Sequence, residues 1–452
     1  MSDLVWLPKN IELAPHSTAR NKAIAKLDIK AGDSILSTPS FASILLESQK
    51  GRRCDNCFRL PPEGCPPLKR CAGCGSYWYC DAQCQTVQWK NHHKKICKTF
   101  NSHISSLSYQ ALVEHEKQDS ILLSHAVARL SMLPTPYSIE QSTLATVFLS
   151  LLPCQDESMD TLSICPIKPP PSDQLVRRMH SRFGNNNFAI HSHLTSIGHG
   201  IFPVASRLFN HSCNPNAAAK YTLSPTRSIV MEIVALRNIV SGDEICLPYL
   251  DPALLQTREQ ILEISYGFKC NCSSCSFLGH IGPLGEIPTD SNELSTLENQ
   301  LRSFVAFNPM SDTSLPAITM EELPPALHCF LRESYMTSLS EKFSNASHDG
   351  QFDVALESGA TLLALYIVIY PTNYPQIGMH LLEMAKTAWN ARMTCSEVND
   401  TNYQALKMQV EVFLTLASQV LTVFGEEGDK IGPLQEIALL QNLLKDERAP
   451  YS

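Results

Sequence analysis

The sequence predicts an α+β protein with strand-rich and helix-rich parts and a cysteine-rich module. Short apolar runs bounded by turn residues indicate strands in 1–47 and 186–250. Apolar residues recur at helical spacing in 104–182 and again in 319–446, which favours antiparallel helix pairs at the C-terminal end. Paired cysteines fill residues 50–98, between the first strands and the first helices.

The composition is that of an ordinary globular protein. The chain has 452 residues, 44% of them hydrophobic and 18% charged, and this length suggests roughly two to four domains. The net charge of -8 argues against binding to DNA or to anionic membranes. Basic residues around the cysteines are better explained as a solvated surface. The longest apolar run, Thr361 to Tyr370, is too short to span a bilayer and indicates a buried helix.

Seventeen cysteines without a recognisable secretion signal indicate a reducing compartment and metal binding. We therefore expect the protein in the nucleus, the cytoplasm or both, because no clear basic import run separates the two.

The first cysteine block contains four ligand pairs: Cys54-x2-Cys57, Cys71-x2-Cys74, Cys80-x3-Cys84 and His93-x3-Cys97. Four pairs supply two tetrahedral zinc sites, and metal binding would stabilise a block too small for an adequate apolar core. The spacing of the last two pairs places each on one face of a helix. A chance run of cysteines would not show this regularity. Cys65 is left over as an incidental thiol.

A second cluster lies at Cys270, Cys272 and Cys275. Three thiolates are one fewer than a closed structural zinc site needs. Taken alone, three cysteines within six residues are also compatible with a fortuitous turn.

A group of motifs between 186 and 275 resembles those of SET-domain methyltransferases. Asn210-His211-Ser212-Cys213-Asn214-Pro215-Asn216 is similar to that family's NHSCxPN signature. Its companions follow at the family's spacing: Asn186-Asn187-Phe188, Gly242-Asp243-Glu244, Tyr249, Thr257-Arg258 and Tyr266-Gly267-Phe268. The first cysteine block, with Trp89 before its last pair, resembles a MYND zinc finger. The whole arrangement resembles the SET and MYND domain family.

This resemblance implies a SET β-fold split by an inserted MYND finger and a helical insert, followed by an all-α, TPR-like lobe. The implied boundaries are 1–50 for the first part of the SET domain, 51–98 for the finger, 99–185 for the helical insert, 186–250 for the SET core, 251–280 for the post-SET zinc segment, 281–318 for a linker and 319–452 for the lobe.

The resemblance also implies how the metal ligands group, with three structural zinc ions in all. Cys54, Cys57, Cys80 and Cys84 would hold one zinc, and Cys71, Cys74, His93 and Cys97 a second. His92 competes with His93, which we prefer because it lies four residues before Cys97. Cys213 would complete the third site with Cys270, Cys272 and Cys275.

The implied activity is S-adenosylmethionine-dependent N-methylation of protein lysines, on histone or other proteins. Tyr249 is the implied catalytic residue, and Phe188 and Tyr266 would line the substrate-lysine channel with it. The implied cofactor-binding residues are Asn21, Asn186, Asn210, His211, Tyr249 and Phe268. Each aromatic residue alone is more often part of a core, and only the set at the family's spacing favours function. A narrow apolar channel suits a neutral amine, which the transfer requires.

Two departures from the family pattern favour an alternative function. Where the family has a glycine-rich cofactor turn, this chain has Arg20-Asn21-Lys22, and glycine normally permits close backbone approach to a ligand. Pro248 also removes a backbone N–H just before Tyr249. The alternative is a non-catalytic adaptor with a degenerate SET core, which binds proline-rich partners through the finger and the helical lobe. In either case we expect a monomer.

Overall fold

The computed structural model describes residues 7–17, 19–62, 64–132, 143–153, 162–310, 312–395 and 401–446. Its strands are β1 (Ile11–Ala14), β2 (Lys22–Ala25), β3 (Ser34–Pro39), β4 (Ala42–Leu45), β5 (Lys69–Arg70), β6 (Trp78–Tyr79), β7 (Asn187–Ser192), β8 (Thr195–Ile201), β9 (Asn210–His211), β10 (Ala217–Thr222), β11 (Val230–Ala235) and β12 (Cys246–Leu247). The predicted α+β class is confirmed.

The helices of the first two-thirds of the chain are short, apart from one. They are α1 (Ala82–Gln88), α2 (Lys94–Ile96), α3 (Phe100–Ile104), α4 (Leu107–Gln110), α5 (Glu114–Leu130), α6 (Thr143–Leu149), α7 (Asp173–His180), α8 (Pro203–Leu208), α9 (Arg258–Ile261) and α10 (Ser273–Ile281). The C-terminal helices are longer: α11 (Ser291–Val305), α12 (Glu333–His348), α13 (Phe352–Ile369), α14 (Pro375–Met393), α15 (Thr401–Phe424) and α16 (Pro433–Asp446).

The β core combines strands from both ends of the strand-rich sequence. The antiparallel sheet β10–β11–β3 joins β3 to strands beyond residue 210, and the sheet β4–β8–β7 does the same for β4. Along β3 the side chains alternate between exposed and buried over part of its length, as expected when one face covers a core. Residues 46–186 are therefore an insertion between strands that share sheets.

The insertion has a core of its own. Helix α5 supplies buried Leu122, Leu123, Ala126 and Val127, and the cysteines of the first block pack in the same apolar cluster. The Tyr77 hydroxyl lies 2.7 Å from His125 Nε2, which ties the cysteine block to this helix. The cysteine block is therefore fixed to the helical insert and does not project as an independent module.

Helices α11 to α16 pack into one lobe with a continuous apolar core. Every residue from Thr361 to Ile369 in α13 is buried, as its apolar run predicted. By length and composition alone, α13 and α15 could each cross a membrane, and 67% and 44% of their apolar stretches are buried inside the protein. Burial within the lobe accounts for the composition of α13.

Two element boundaries follow from single residues. Strand β8 ends at Ile201 because Pro203 starts α8, where the missing N–H of proline costs no hydrogen bond. Helix α9 begins only at Arg258, because Glu333 of the lobe accepts the N–H groups of Gln256 and Thr257 at 2.6 and 2.7 Å.

The segment 281–318, predicted as a linker, contains α11. Asp290 caps this helix by accepting from the N–H groups of Asn292 and Glu293, and Leu301 and Val305 are buried in the lobe. The glycine and proline residues of 281–318 lie on either side of α11 and do not interrupt it. The composition of the whole segment therefore concealed this helix.

Candidate active site and zinc clusters

The chain brings twelve cysteine and histidine side chains together in three groups of four, and these are the groupings expected above. The groups are Cys54, Cys57, Cys80 and Cys84; Cys71, Cys74, His93 and Cys97; and Cys213, Cys270, Cys272 and Cys275. Within each group, all potential ligand atoms lie within 4.8 Å of one another.

The spacing of these atoms fits tetrahedral zinc. Zn–S bonds of about 2.3 Å place two thiolates of one tetrahedron about 3.8 Å apart, and an imidazole nitrogen and a thiolate about 3.5 Å apart. The Sγ atoms of Cys57 and Cys80 are 3.7 Å apart, as are those of Cys71 and Cys97. His93 Nε2 lies 3.6 Å from Cys74 Sγ and 3.4 Å from Cys71 Sγ. The three groups therefore fit three zinc ions.

The choice of His93 over His92 follows from a local widening of the helix. Residues Trp89–His93 form a π-helical turn between α1 and α2, and Cys97 N–H donates to His93 C=O at 2.9 Å. His93 Nε2 points into the cysteine group, whereas the His92 ring stacks on His125 at 4.1 Å. His92 is thus buried outside the group and is not one of its ligands.

In the other predicted helical pair, Cys80 and Cys84, only Cys84 lies in a helix. Asp81 is the N-cap of α1 and accepts from Cys84 N–H at 2.7 Å, so Cys80 lies before the helix. Cys80 and Cys84 nevertheless belong to one group of potential metal ligands with Cys57. Cys65 is exposed and lies in none of the groups.

The third cysteine group joins the Asn210–Asn216 loop to the segment after α9. Cys213 Sγ lies 3.5 Å from Cys275 Sγ and 4.0 Å from Cys270 Sγ. Arg258, which is 1% exposed, lies close to this group and is held by Pro252 C=O and Ser274 Oγ. Four thiolates on one Zn²⁺ carry a net charge of about -2, so a buried guanidinium offsets excess negative charge there.

We expect about three zinc ions per purified chain, because each group supplies a complete tetrahedron. Replacing Cys213 with Ser should reduce the content to about two, since a hydroxyl is a weak zinc ligand. Elemental analysis after gel filtration measures this ratio. Cys246→Ser is the matched control, because Cys246 lies near the third group but outside it. A Cys213→Ser protein that still holds three ions would contradict the assignment.

An aromatic cluster of His211, Tyr249, Tyr266 and Phe268 lies beside the third cysteine group. The ring centroids of Tyr249 and Tyr266 are 5.1 Å apart, and Phe268 lies 6.0 Å from His211 and 6.4 Å from Tyr249. All four side chains are only partly buried. The cluster therefore offers aromatic walls that a ligand can reach.

Tyr249 is held in place through both its backbone and its hydroxyl. Strand β12 runs parallel to β9, and the chain then passes through Pro248 to Tyr249. The Tyr249 N–H donates to His211 Nδ1 at 3.0 Å. The His211 side chain thus accepts the hydrogen bond that a neighbouring strand would otherwise accept beyond Pro248. The Tyr249 hydroxyl donates to Phe209 C=O at 2.7 Å. Burial raises the pKa of this phenol above its usual value, with a further contribution from Tyr266.

His211 also connects the aromatic cluster to the metal site. Its Nε2 lies 3.1 Å from Cys213 Sγ, while its Nδ1 accepts from Tyr249. The imidazole makes both contacts when Nε2 carries the proton, because Nε2–H then faces Cys213 Sγ and the unprotonated Nδ1 accepts from Tyr249 N–H. The position of Tyr249 is therefore coupled to the third cysteine group through one imidazole.

Asn210 joins the signature loop to the N-terminal hairpin. Its amide nitrogen donates to Asn21 C=O at 2.9 Å and to Glu244 Oε1 at 2.8 Å. Arg207 Nη2 donates to Asn21 Oδ1 at 2.7 Å. Two predicted cofactor residues, Asn21 and Asn210, are thus in direct contact.

Two predicted site residues lie apart from these contacts. The Phe188 ring lies 5.9 Å from Phe202 and packs against the β core. Asn186 is buried, and its amide nitrogen donates to Arg182 C=O at 2.8 Å after α7. Their channel and cofactor roles remain predictions.

Sequence reasoning missed several groups that position the site. Glu244 stands inside a quoted motif but was given no role, and it holds Asn210. The other groups contact partners that are distant in sequence. Arg207 contacts Asn21 across 186 residues, the Phe209 carbonyl contacts Tyr249 across 40, and Arg258 contacts Ser274 across 16. No local pattern indicates such contacts. Arg258 also stands inside a quoted motif, Thr257-Arg258, and that motif is the one signal that could have been read.

The comparisons with known proteins match the motif-bearing part of the chain. A family model for the SET domain matches residues 22–250, about half of the chain. Histone-lysine N-methyltransferase ASHR1 of Arabidopsis thaliana is 26% identical over 60% of this chain and 54% of its own length. N-lysine methyltransferase SMYD2 of Rattus norvegicus is 28% identical over 54% of this chain and 55% of its own, and human SMYD2 is 26% identical over 55% and 56%.

The chain spans about half the length of the curated relatives it matches. A solved SET domain of LSMT, bound to lysine and AdoHcy, aligns with 98% of this chain and 88% of its own. The 11% identity and the TM-score of 0.25 are too low for that alignment to support an argument. On the family match, the chain belongs to the SET domain family.

Proposed function

We propose that this protein is an S-adenosylmethionine-dependent protein-lysine N-methyltransferase acting on histone or other proteins. The observation that carries this proposal is the Tyr249 hydroxyl, fixed on the Phe209 carbonyl inside the aromatic cluster. The relatives from Arabidopsis thaliana and Rattus norvegicus are named histone-lysine and N-lysine methyltransferases, which supports lysine as the acceptor.

The structure suggests what Tyr249 contributes. Its raised pKa keeps the phenol protonated at neutral pH, so it is not the base that removes the lysine proton. Because its O–H donates to Phe209 C=O, the oxygen lone pairs remain available to accept from the substrate amine. Tyr249 therefore orients the neutral amine, while Tyr266 contacts the lysine stem and helps to exclude water.

Asn210 and Asn21 would hold S-adenosylmethionine, which would supply an electrophilic methyl group whose S–CH3 bond breaks toward the sulfur as the N–CH3 bond to lysine forms. The side chains around Asn210 fit the amino-acid end of such a cofactor. Asn210 Nδ2 is occupied with two acceptors, so its Oδ1 is the atom that would accept from an ammonium group. Burial lowers the pKa of the Arg207 guanidinium, and nearby Arg20 lowers it further, so a carboxylate beside the two would relieve their repulsion.

The turn without glycine is compatible with this role. Among the described residues, Arg20, Asn21 and Lys22 all have negative φ, so the backbone conformation does not require glycine. Asn21 is also anchored by Asn210 and Arg207. We propose that these two contacts hold the glycine-free turn in the position that the cofactor requires.

The cysteine block and the helical lobe support the finer architecture that the sequence suggested. We propose that residues 51–98 form a MYND-type finger with two zinc ions and that the C-terminal helices form a TPR-like lobe. The grouped ligands and the antiparallel helices α12 to α15 are the supporting observations.

Calorimetric titration of the zinc-loaded protein with S-adenosylmethionine tests this function. We expect saturable binding, followed by methyl transfer to lysine in a histone mixture. Asn21→Ala should weaken binding roughly three- to tenfold, because it removes the acceptor of Arg207. The matched control is Asn345→Ala, at an exposed position in the lobe.

Failure of the zinc-loaded protein to bind S-adenosylmethionine would contradict the enzymatic function. The adaptor function would then be favoured. It would draw on the partly exposed ring of Trp89 on the cysteine block, since aromatic surfaces of this kind bind proline-rich segments.

A further inference from the structure

A cavity of about 180 Å³ lies between the turn of the β7–β8 hairpin and the C-terminal lobe. Its walls include His193 and Leu194 from the hairpin and Met379, Leu421, Phe424 and Glu427 from the lobe. None of its lining residues belongs to the aromatic cluster or to the three cysteine groups. The cavity is therefore separate from the proposed active site.

The cavity is built on a constrained backbone. His193 and Leu194 have φ angles of 51° and 61°, a conformation that costs non-glycine residues energy. His193 Nε2 lies 3.1 Å from Asp429 C=O, and a Cβ at Gly432 would lie within 2.2 Å of the His193 ring. Contacts between the hairpin and residues 425–432 hold the turn in this form.

Three acidic residues of the loop line this space: Glu426, which is exposed, Asp429, which pairs with Arg53, and Glu427. Glu427 Oε1 accepts from Leu194 N–H at 3.3 Å. Burial raises its pKa to about 7, although nearby Lys220 acts in the opposite direction. Lys220 is paired with Glu232 at 3.5 Å, and in the described part of the chain no basic side chain forms an ion pair with Glu427.

A buried carboxylate without a counter-ion is costly, and a ligand cation would offset that cost. The remaining walls combine apolar Leu421, Phe424, Met379, Leu223 and Leu434 with the exposed side chain of Lys430. The volume is smaller than the roughly 300 Å³ typical of the smallest drug-sized sites. These properties together suit one short alkyl chain that ends in a positive charge.

We propose that this cavity is a second binding site, which takes an alkylammonium group with its charge on the Glu427 carboxylate and its stem against Leu421 and Phe424. A lysine side chain of a bound polypeptide and a free primary amine both present this chemistry. The site requires no methyl transfer, so it does not depend on the proposed activity.

The test uses n-butylammonium as the probe and n-butanol as its neutral counterpart, titrated into the full-length zinc-loaded protein by NMR or calorimetry. The expected result is saturable binding of the amine, with a large part of it lost in Glu427→Gln. That variant should weaken binding at this cavity roughly 10- to 100-fold, because it removes the charge while Gln keeps an oxygen for Leu194 N–H. Glu341→Gln is the matched control, an exposed acid of the lobe that does not line the cavity.

The two variants also separate this cavity from the aromatic cluster, which can bind an amine as well. Binding that is the same in Glu427→Gln and Glu341→Gln would overturn the proposal, and so would equal binding of n-butanol. Met379→Trp fills the cavity from α14 and should abolish the binding that Glu427→Gln weakens. It provides a second test if Glu427→Gln fails to fold. Retained binding in Met379→Trp would likewise overturn it.

An acetylated peptide with one central lysine distinguishes the two sources of the amine. Competition between this peptide and n-butylammonium that is lost in Glu427→Gln would identify a polypeptide lysine as the ligand. Binding of n-butylammonium without such competition would identify a free amine. Both results support the cavity as an alkylammonium site.

Discussion

Tyr249→Phe should reduce the rate of methyl transfer by roughly 100- to 1,000-fold, the usual loss when one preorganised polar group is removed from an active site. The phenol oxygen is fixed on Phe209 C=O, and its lone pairs are the groups that would orient the amine. The Phe ring keeps the aromatic packing against Tyr266. Affinity for S-adenosylmethionine should therefore change by less than about twofold, since the contacts of Asn210 and Asn21 are untouched.

Transfer of labelled methyl groups to a lysine substrate measures the rate, and calorimetry measures cofactor affinity. Tyr109→Phe is the matched control, because it removes a phenol from the helical insert. Rates unchanged in Tyr249→Phe would remove Tyr249 from the proposed role. Loss of rate and cofactor affinity together would indicate a collapsed loop instead, which the zinc content would reveal.

The metal groups were the most predictable part of the structure, because zinc ligands obey short, fixed spacings. Cys54-x2-Cys57 and Cys71-x2-Cys74 each bring two thiolates together by a local turn. The grouping of distant pairs, such as Cys213 with Cys270, is not a local property and came from family resemblance alone. The π-helical turn at Trp89–His93, which directs His93 inward, leaves no recognisable mark in the sequence.

The network around the proposed cofactor site shows why motifs alone were insufficient. Asn210 and Tyr249 lie in recognisable motifs, but Arg207 and the Phe209 carbonyl do not. Their contribution depends on where the backbone passes in three dimensions. The fit of the lobe onto the β core was equally unpredictable, since it rests on single side chains far apart in sequence.

Asp429 is one such side chain, and it joins three parts of the molecule. Its Oδ2 lies 2.8 Å from Arg53 Nη1, next to the first cysteine block, and accepts from Ser192 Oγ on β7 at 2.8 Å. The backbone carbonyl of Asp429 lies 3.1 Å from His193 Nε2. The side chains of Arg53 and Asp429 are 9% and 15% exposed, so this pair is shielded from water and salt.

Asp429→Ala should lower the apparent free energy of unfolding by about 3 kcal/mol, because it leaves the Arg53 guanidinium largely buried without its carboxylate. Urea denaturation followed by tryptophan fluorescence measures this change. The matched control is Glu286→Ala, whose side chain is 94% exposed and pairs with Arg332 at 3.4 Å. A surface pair of this kind is worth less than about 1 kcal/mol.

A second substitution decides whether the loss belongs to the ion pair. Arg53→Met together with Asp429→Ala should be more stable than the sum of the two single changes predicts, by about 1 kcal/mol or more, because no unpaired charge remains buried. Additive effects would show that Asp429 acts through Ser192 and the backbone instead. In that case the lobe would be anchored on the β7–β8 hairpin and not on the cysteine block, and zinc removal should leave the docking of the lobe unchanged.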